Sequence, residues 1–282
     1  MLFRILVLGS IAACLACAQI TPMVGGSEGS SLNQHEVEQA KAKRAPSKDA
    51  SRSVYVFTGD RVIPQLVDGA GWQTSMTFVN LENRSVRFNV YFFADNGTDL
   101  YIPIVGAGVV RGVIVALSGA ESITIDTAGS GAALSQGWAN FRTEVAGDSV
   151  GGLTVFKQSV PGRPDFEAVV PVVNQFDDHF VLLFDNTKWV TAIALANPSS
   201  KTVTVPFNIR DEAGNIAQAR TITLAPYEHK AFVIPEVYPI TAGRRGKMEF
   251  ITSGFGVAAL GLRFNGSGAF TSFHVLSNFA WL

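Results

Sequence analysis

Shifting the chain by 117 residues lays one stretch of it over another without a gap. Leu66, Asp68, Trp72, Thr74, Asn80, Val86 and Gly97 fall on Leu183, Asp185, Trp189, Thr191, Asn197, Val203 and Gly214. The apolar alternation coincides as well. Met76 and Phe78 fall on Ile193 and Leu195, and Phe88, Val90 and Phe92 fall on Val205, Phe207 and Ile209. Further along, the offset shrinks to 109 for Gly137, Phe141 and Thr143 on Gly246, Phe250 and Thr252. It is 107 for Val150, Leu153 and Val155 on Val257, Leu260 and Leu262. Matching segments separated by a drifting offset mean one structural unit written twice, with shorter loops in the second copy, where loops tolerate change.

The unit is built of strands. Val86, Phe88, Val90 and Phe92 alternate with Arg87, Asn89, Tyr91 and Phe93, the period of a strand with one face on a core. Asp95-Asn96-Gly97 then signals a tight turn, because Asn and Gly tolerate positive φ. No stretch of a dozen residues keeps the helical period. About seven short strands in roughly 100 residues is the size of an immunoglobulin-like sandwich. The expectation is therefore an all-β chain of two tandem immunoglobulin-like β-sandwich domains from an internal duplication, copy 1 over 52–175 and copy 2 over 176–282. Trp72 and Trp189 share the parity of the core rows and are expected to join them. Pro206, inside a strand, suggests an edge, since proline cannot donate to a ladder.

Residues 1–18 read as an export signal: Arg4, the apolar run Ile5 to Ala13, then Ala16-Cys17-Ala18 as a cleavage pattern that leaves Gln19 first. The run is too short to span a membrane as a helix, and charged residues, Asn or Gly interrupt every later one. Both cysteines, Cys14 and Cys17, lie in this leader, so the cleaved protein has neither a disulfide nor a thiolate ligand. The alternative is a lipobox, Ile11-Ala12-Ala13-Cys14, in which Cys14 is acylated and tethers the chain to a membrane. Residues 19–51, poor in large apolar side chains, read as a flexible linker. A formal charge of −1 removes the main attraction for nucleic acid.

Three phrases carry a family resemblance: Asp68-Gly69-Ala70-Gly71-Trp72-Gln73-Thr74, Pro161-Gly162-Arg163-Pro164-Asp165-Phe166 and Asp211-Glu212-Ala213-Gly214-Asn215. With them the chain, over 54–282, resembles secreted bacterial proteins built of tandem immunoglobulin-like or fibronectin-III-like sandwiches, an uncharacterised two-copy group. The resemblance implies architecture and export, and no activity.

Candidate chemistry is sparse. His35, His179, His229 and His274 show no metal-ligand spacing, and Asp177-Asp178-His179 reads as an acidic linker. Asp95-Asn96-Gly97-Thr98-Asp99 lacks the spacing of a calcium loop, and no cofactor motif is present. His274 reads as a structural histidine in the last strand. The sharper candidate is the outward row of copy 1, Arg87, Asn89, Tyr91 and Phe93, against Thr204, Pro206, Asn208 and Arg210 in copy 2. An aromatic pair beside Arg and Asn could stack a sugar or cover a partner strand. Alternatively, the row packs under a loop or against the second copy. Arg163, with Asp165 as an ion-pair partner, and the basic cluster Arg244, Arg245 and Lys247 are further binding candidates. These features favour a non-enzymatic surface-interaction or adhesion protein, whose partner is a surface protein or polysaccharide. A periplasmic assembly chaperone acting by strand addition is the alternative. A secreted hydrolase and an outer-membrane barrel rank below both.

Overall fold

The computed structural model describes residues 19–23, 61–173, 179–252 and 256–277. The leader with Cys14, residues 24–51 of the linker, His35, Asp177 and Asp178 lie outside the described residues. The first half comprises β1 (Gln19–Met23), β2 (Arg61–Asp68), β3 (Trp72–Asn80), β4 (Val86–Ala94), β5 (Ile102–Ile104) and β6 (Gly108–Val110). It continues with β7 (Gly112–Leu117), β8 (Ser122–Asp126), β9 (Ser135–Thr143), β10 (Val150–Gln158) and β11 (Phe166–Pro171). The second half comprises β12 (His179–Asp185), β13 (Val190–Ala196), β14 (Val203–Asp211), β15 (Ile216–Leu224) and β16 (His229–Val233). A helical turn α1 (Ile234–Val237) leads into β17 (Arg245–Ile251), β18 (Ala258–Phe264), β19 (Phe270–Phe273) and β20 (Leu276–Ser277).

The protein is all-β, with open sheets packed in sandwich fashion. The first half forms one sheet in the order β1-β7-β4-β9-β2 and another in the order β11-β10-β3-β8, with β5-β6 a separate hairpin. The second half forms β15-β14-β17-β12-β20 and β16-β13-β18-β19. Without β1, β20 and the β5-β6 hairpin, the two strand orders are the same. The register repeats too: Val90 pairs with Phe141, and Phe207, 117 residues on, pairs with Phe250, 109 residues on. Met76 opposite Thr154 recurs as Ile193 opposite Gly261.

Polar residues shared by the halves do the same work in each. Asn80 and Asn197 are both buried. The Asn80 amide donates to the carbonyls of Arg84 (2.8 Å), Leu117 (3.3 Å) and Ser118 (2.8 Å). The Asn197 amide donates to Lys201 (2.8 Å), Leu224 (3.3 Å) and Ala225 (2.8 Å). Each Oδ1 accepts a backbone N–H two residues on. Thr74 and Thr191 likewise tie the end of the preceding strand to their own, accepting from the N–H groups of Val67 and Asp185. Buried backbone groups that sheet ladders miss need such partners.

The two halves share a core. Phe78 meets Phe88 and Phe141 across the first sandwich at 5.1 and 5.2 Å between ring centroids. That same cluster takes in Ala192, Ala194, Leu260, Leu262 and Phe270 from the second half. The sheet of β13 and β18 therefore has two buried faces: Ile193 and Leu195 point into its own sandwich, Ala192 and Ala194 into the neighbour. A strand buried on both faces reads as a continuous apolar run, as Ala192 to Ala196 do. Alanines on the outward row let the halves approach closely.

Four expectations need correction. Gln19–Met23, expected in a flexible linker, form an edge strand along β7, with Ile20 opposite Val115 and packed on the core. Pro22 is tolerated there because β1 has a neighbour on one side only. Pro206 does not mark an edge strand: β14 lies between β15 and β17, and its ladder to β17 begins only at Phe207. Trp72 packs against the core, but Trp189 is only partly buried and stands outside the core clusters, 4.7 Å from the Arg263 guanidinium. His274 is exposed between β19 and β20 and not in a strand.

Candidate functional site

The aromatic row of β4 is not an open face. Phe93 is 5% exposed and lies between Trp138 (4.4 Å, 12° between planes) and Tyr227 (5.4 Å, 19°). Trp138, on the adjoining β9, is fully buried and donates its indole N–H to the Tyr227 carbonyl at 2.8 Å. Ala196 and Ala258 of the second half complete this cluster, and the half-buried Tyr91 packs against it. Of the two readings of the row, packing against the second half therefore accounts for Tyr91 and Phe93. Arg87 is exposed and ion-paired with Glu144 at 3.1 Å, and Asn89 is half-buried.

A polar junction continues the same contact. The turn after β4 places Asp95 beside His229 of β16, which is 2% exposed. His229 Nδ1 lies 2.8 Å from Asp95 Oδ1, and Nε2 lies 3.1 Å from the Pro64 carbonyl. A carbonyl only accepts, so Nε2 carries a hydrogen. Gln136 donates to the other Asp95 oxygen at 2.7 Å. Nearby, Gly97 has φ +77°, and a Cβ there would sit 2.3 Å from the Pro226 carbonyl. The glycine is needed both for the turn and for the approach of the second half.

Arg163 also joins the halves. Its Nη1 donates to the Ser267 carbonyl at 2.5 Å, and its guanidinium lies 4.2 Å from the Phe166 ring. The expected partner, Asp165, pairs instead with Lys157 at 3.6 Å.

Arg244 and Arg245 remain open to solvent. They line a surface cleft of about 380 Å³ with Thr187, Gly243 and the β14–β15 turn, Asp211 to Ala213. Arg245 is anchored, its Nε 2.9 Å from Asp185 Oδ2. The Thr187 hydroxyl and amide, with Arg245 adding to them, hold the Asp185 carboxyl down to about 2. Asn215 bonds Asp211 through side chain and backbone and keeps that carboxyl below its usual range. Arg244 is exposed, and its guanidinium has no partner among the described residues. Among the described residues the cleft thus offers one unpaired cation beside one anchored cation, with the Asp211 carboxylate also in its lining. Lys247, the third member of the basic cluster, lies outside this lining.

On the outer face of β12, β14 and β17, Glu249 accepts from Arg210 Nε at 2.7 Å and lies 3.6 Å from His179 Nε2. Burial pushes the Glu249 carboxyl up, but the bond and charge of Arg210, with Asn208 and His179, outweigh it and leave the carboxyl below its ordinary value. Among the described residues no three His, Cys, Asp or Glu side chains gather as a metal site would require. No described helix is long and apolar enough to cross a membrane.

Comparison with known proteins finds no matching family model, curated protein or solved structure.

Proposed function

We propose that the chain is an exported, non-enzymatic surface-interaction protein made of two tandem immunoglobulin-like sandwiches that arose by duplication. Its contact with a surface polysaccharide is made through the cleft at Arg244 and Arg245. The observation that carries this reading is the exposed Arg244 guanidinium, without a partner among the described residues, on a loop-built cleft where Arg245, Asp211 and Thr187 are held in place. A guanidinium binds a carboxylate through two parallel N–H donors. Asp211 and Glu212 on the opposite wall accept from hydroxyls and repel a second anion. That combination fits a sugar bearing one carboxylate, a uronic acid within an acidic polysaccharide. The repeated strand order supports the tandem architecture, and the leader pattern of residues 1–18 supports export.

The test is retention of the chain starting at Gln19 on immobilised polygalacturonate, with uncharged dextran as control, for wild type and Arg244→Ala. The expected result is selective retention of wild type, lost at high salt, with affinity at least about tenfold lower in the variant. Equal retention of both proteins, or none of wild type, would overturn the proposal.

A further inference from the structure

A second, unrelated feature lies between the halves. A cavity of about 200 Å³ is walled by Trp72 and Phe156 from the first half and by Phe232, Leu262 and Phe264 from the second. Trp72 and Phe156 stand 5.8 Å apart, and both pack on Phe270. An apolar cavity of about 150 Å³ is enough to admit benzene.

The wall carries one polar group that packing alone does not explain. Gln65 is 4% exposed, and its Oε1 has no hydrogen-bond partner among the described residues. A buried acceptor left unpaired forfeits the hydrogen bonds it made to water, a loss that a bound donor would restore. Gln65 is placed there by a bulge. β2 pairs with β9 at Ile63–Ala139 and resumes at Leu66–Gly137, so Pro64 and Gln65 together stand opposite Trp138. Bulges re-aim side chains. In the second half the corresponding strand β12 runs without a bulge, and the single residue Leu183 stands opposite Lys247, the counterpart of Trp138. The fold of the repeat therefore requires neither the bulge nor the amide.

We infer that this cavity is a binding site for a small, flat, mostly apolar molecule with a single hydrogen-bond donor, of the class of phenols and indoles. The ring lies against Trp72, Phe156 and Phe264, and its N–H or O–H donates to Gln65 Oε1. Because both halves line the cavity, the ligand bridges them and stabilises their contact.

The test is calorimetric titration and thermal melting of the chain starting at Gln19 with indole and with indene, its near-isostere lacking the N–H. Indole is expected to bind saturably, raise the melting temperature, and bind roughly tenfold more tightly than indene. Gln65→Leu, which copies the second half, should fold, lose the preference for indole and bind indene at least as well as wild type. Ala231→Leu, which narrows the partly exposed rim of the cavity, should bind neither. No saturable binding by wild type, or an indole preference unchanged in Gln65→Leu, would overturn the inference. Binding undiminished in Ala231→Leu would place the site elsewhere and overturn it equally.

Discussion

Phe270→Ala tests whether the two halves unfold as one body. Phe270 begins β19 in the second half, yet its ring stacks on Phe156 at 5.3 Å and lies 5.2 Å from Trp72 and 6.3 Å from Phe166, all in the first half. It is 8% exposed and belongs to the first half's core cluster. Truncating a buried phenylalanine costs about 3–5 kcal/mol, the transfer of the ring plus the cavity it leaves. With aromatic neighbours in both halves, a value near 4 kcal/mol is expected. For a protein of this size that lowers Tm by roughly 8–15 °C. The assay is scanning calorimetry beside urea unfolding followed by far-UV and near-UV circular dichroism. A single transition, displaced as a whole, is expected for wild type and variant alike. Two transitions in wild type, with only one moved by the substitution, would refute the argument that a common core couples the halves. So would a loss below about 1 kcal/mol, the level of ordinary surface changes.

Asn197→Asp sets a carboxylate against the carbonyls of Lys201, Leu224 and Ala225, all now reached by the amide; it should cost at least about 3 kcal/mol in urea unfolding. Asn80→Asp should cost a similar amount, because its amide meets the same three-carbonyl arrangement. Glu249 has a folded-state pKa below its unfolded value. Its contribution is therefore complete above about pH 4.5 and is lost as pH falls through the lower folded value. Glu249→Gln should flatten that acid limb of the stability–pH curve, and a limb of unchanged slope would show that the Arg210 pair contributes nothing.

The repeat was legible because the residues that match between copies are those the sandwich needs. Asn80, Thr74 and the Phe88 row each have a counterpart because the same carbonyls and the same core recur. The contact between halves was harder to read. Parity shows that Phe93 points away from its own core but not what it meets. A signal was present in the differences between copies. Tyr91, Phe93 and Trp138 stand where the second copy has Asn208, Arg210 and Lys247, so an aromatic face replaces a polar one where burial occurs. Comparing only one strand's row left out Trp138, the residue buried deepest there. Gln65 follows the same logic in reverse, polar where the copy has Leu183. The β1 strand had no such signal, since five residues with a central pair of Thr21 and Pro22 show no alternation.

The borrowing of Phe270 also bears on the order in which such a chain folds. A polypeptide made or threaded from its N-terminus presents β2 to β11 long before residue 270 arrives, so the first sandwich waits with a gap in its interior. Until β19 emerges, Trp72, Phe156 and Phe166 lack the ring that Phe270 places against all three. The packing of the early part is completed only when β19 arrives, and the apolar surface it leaves open meanwhile is exposed to misassociation. Order of emergence, not only final contacts, then governs when this protein becomes stable, and exchanging the two copies in sequence would not give an equivalent molecule.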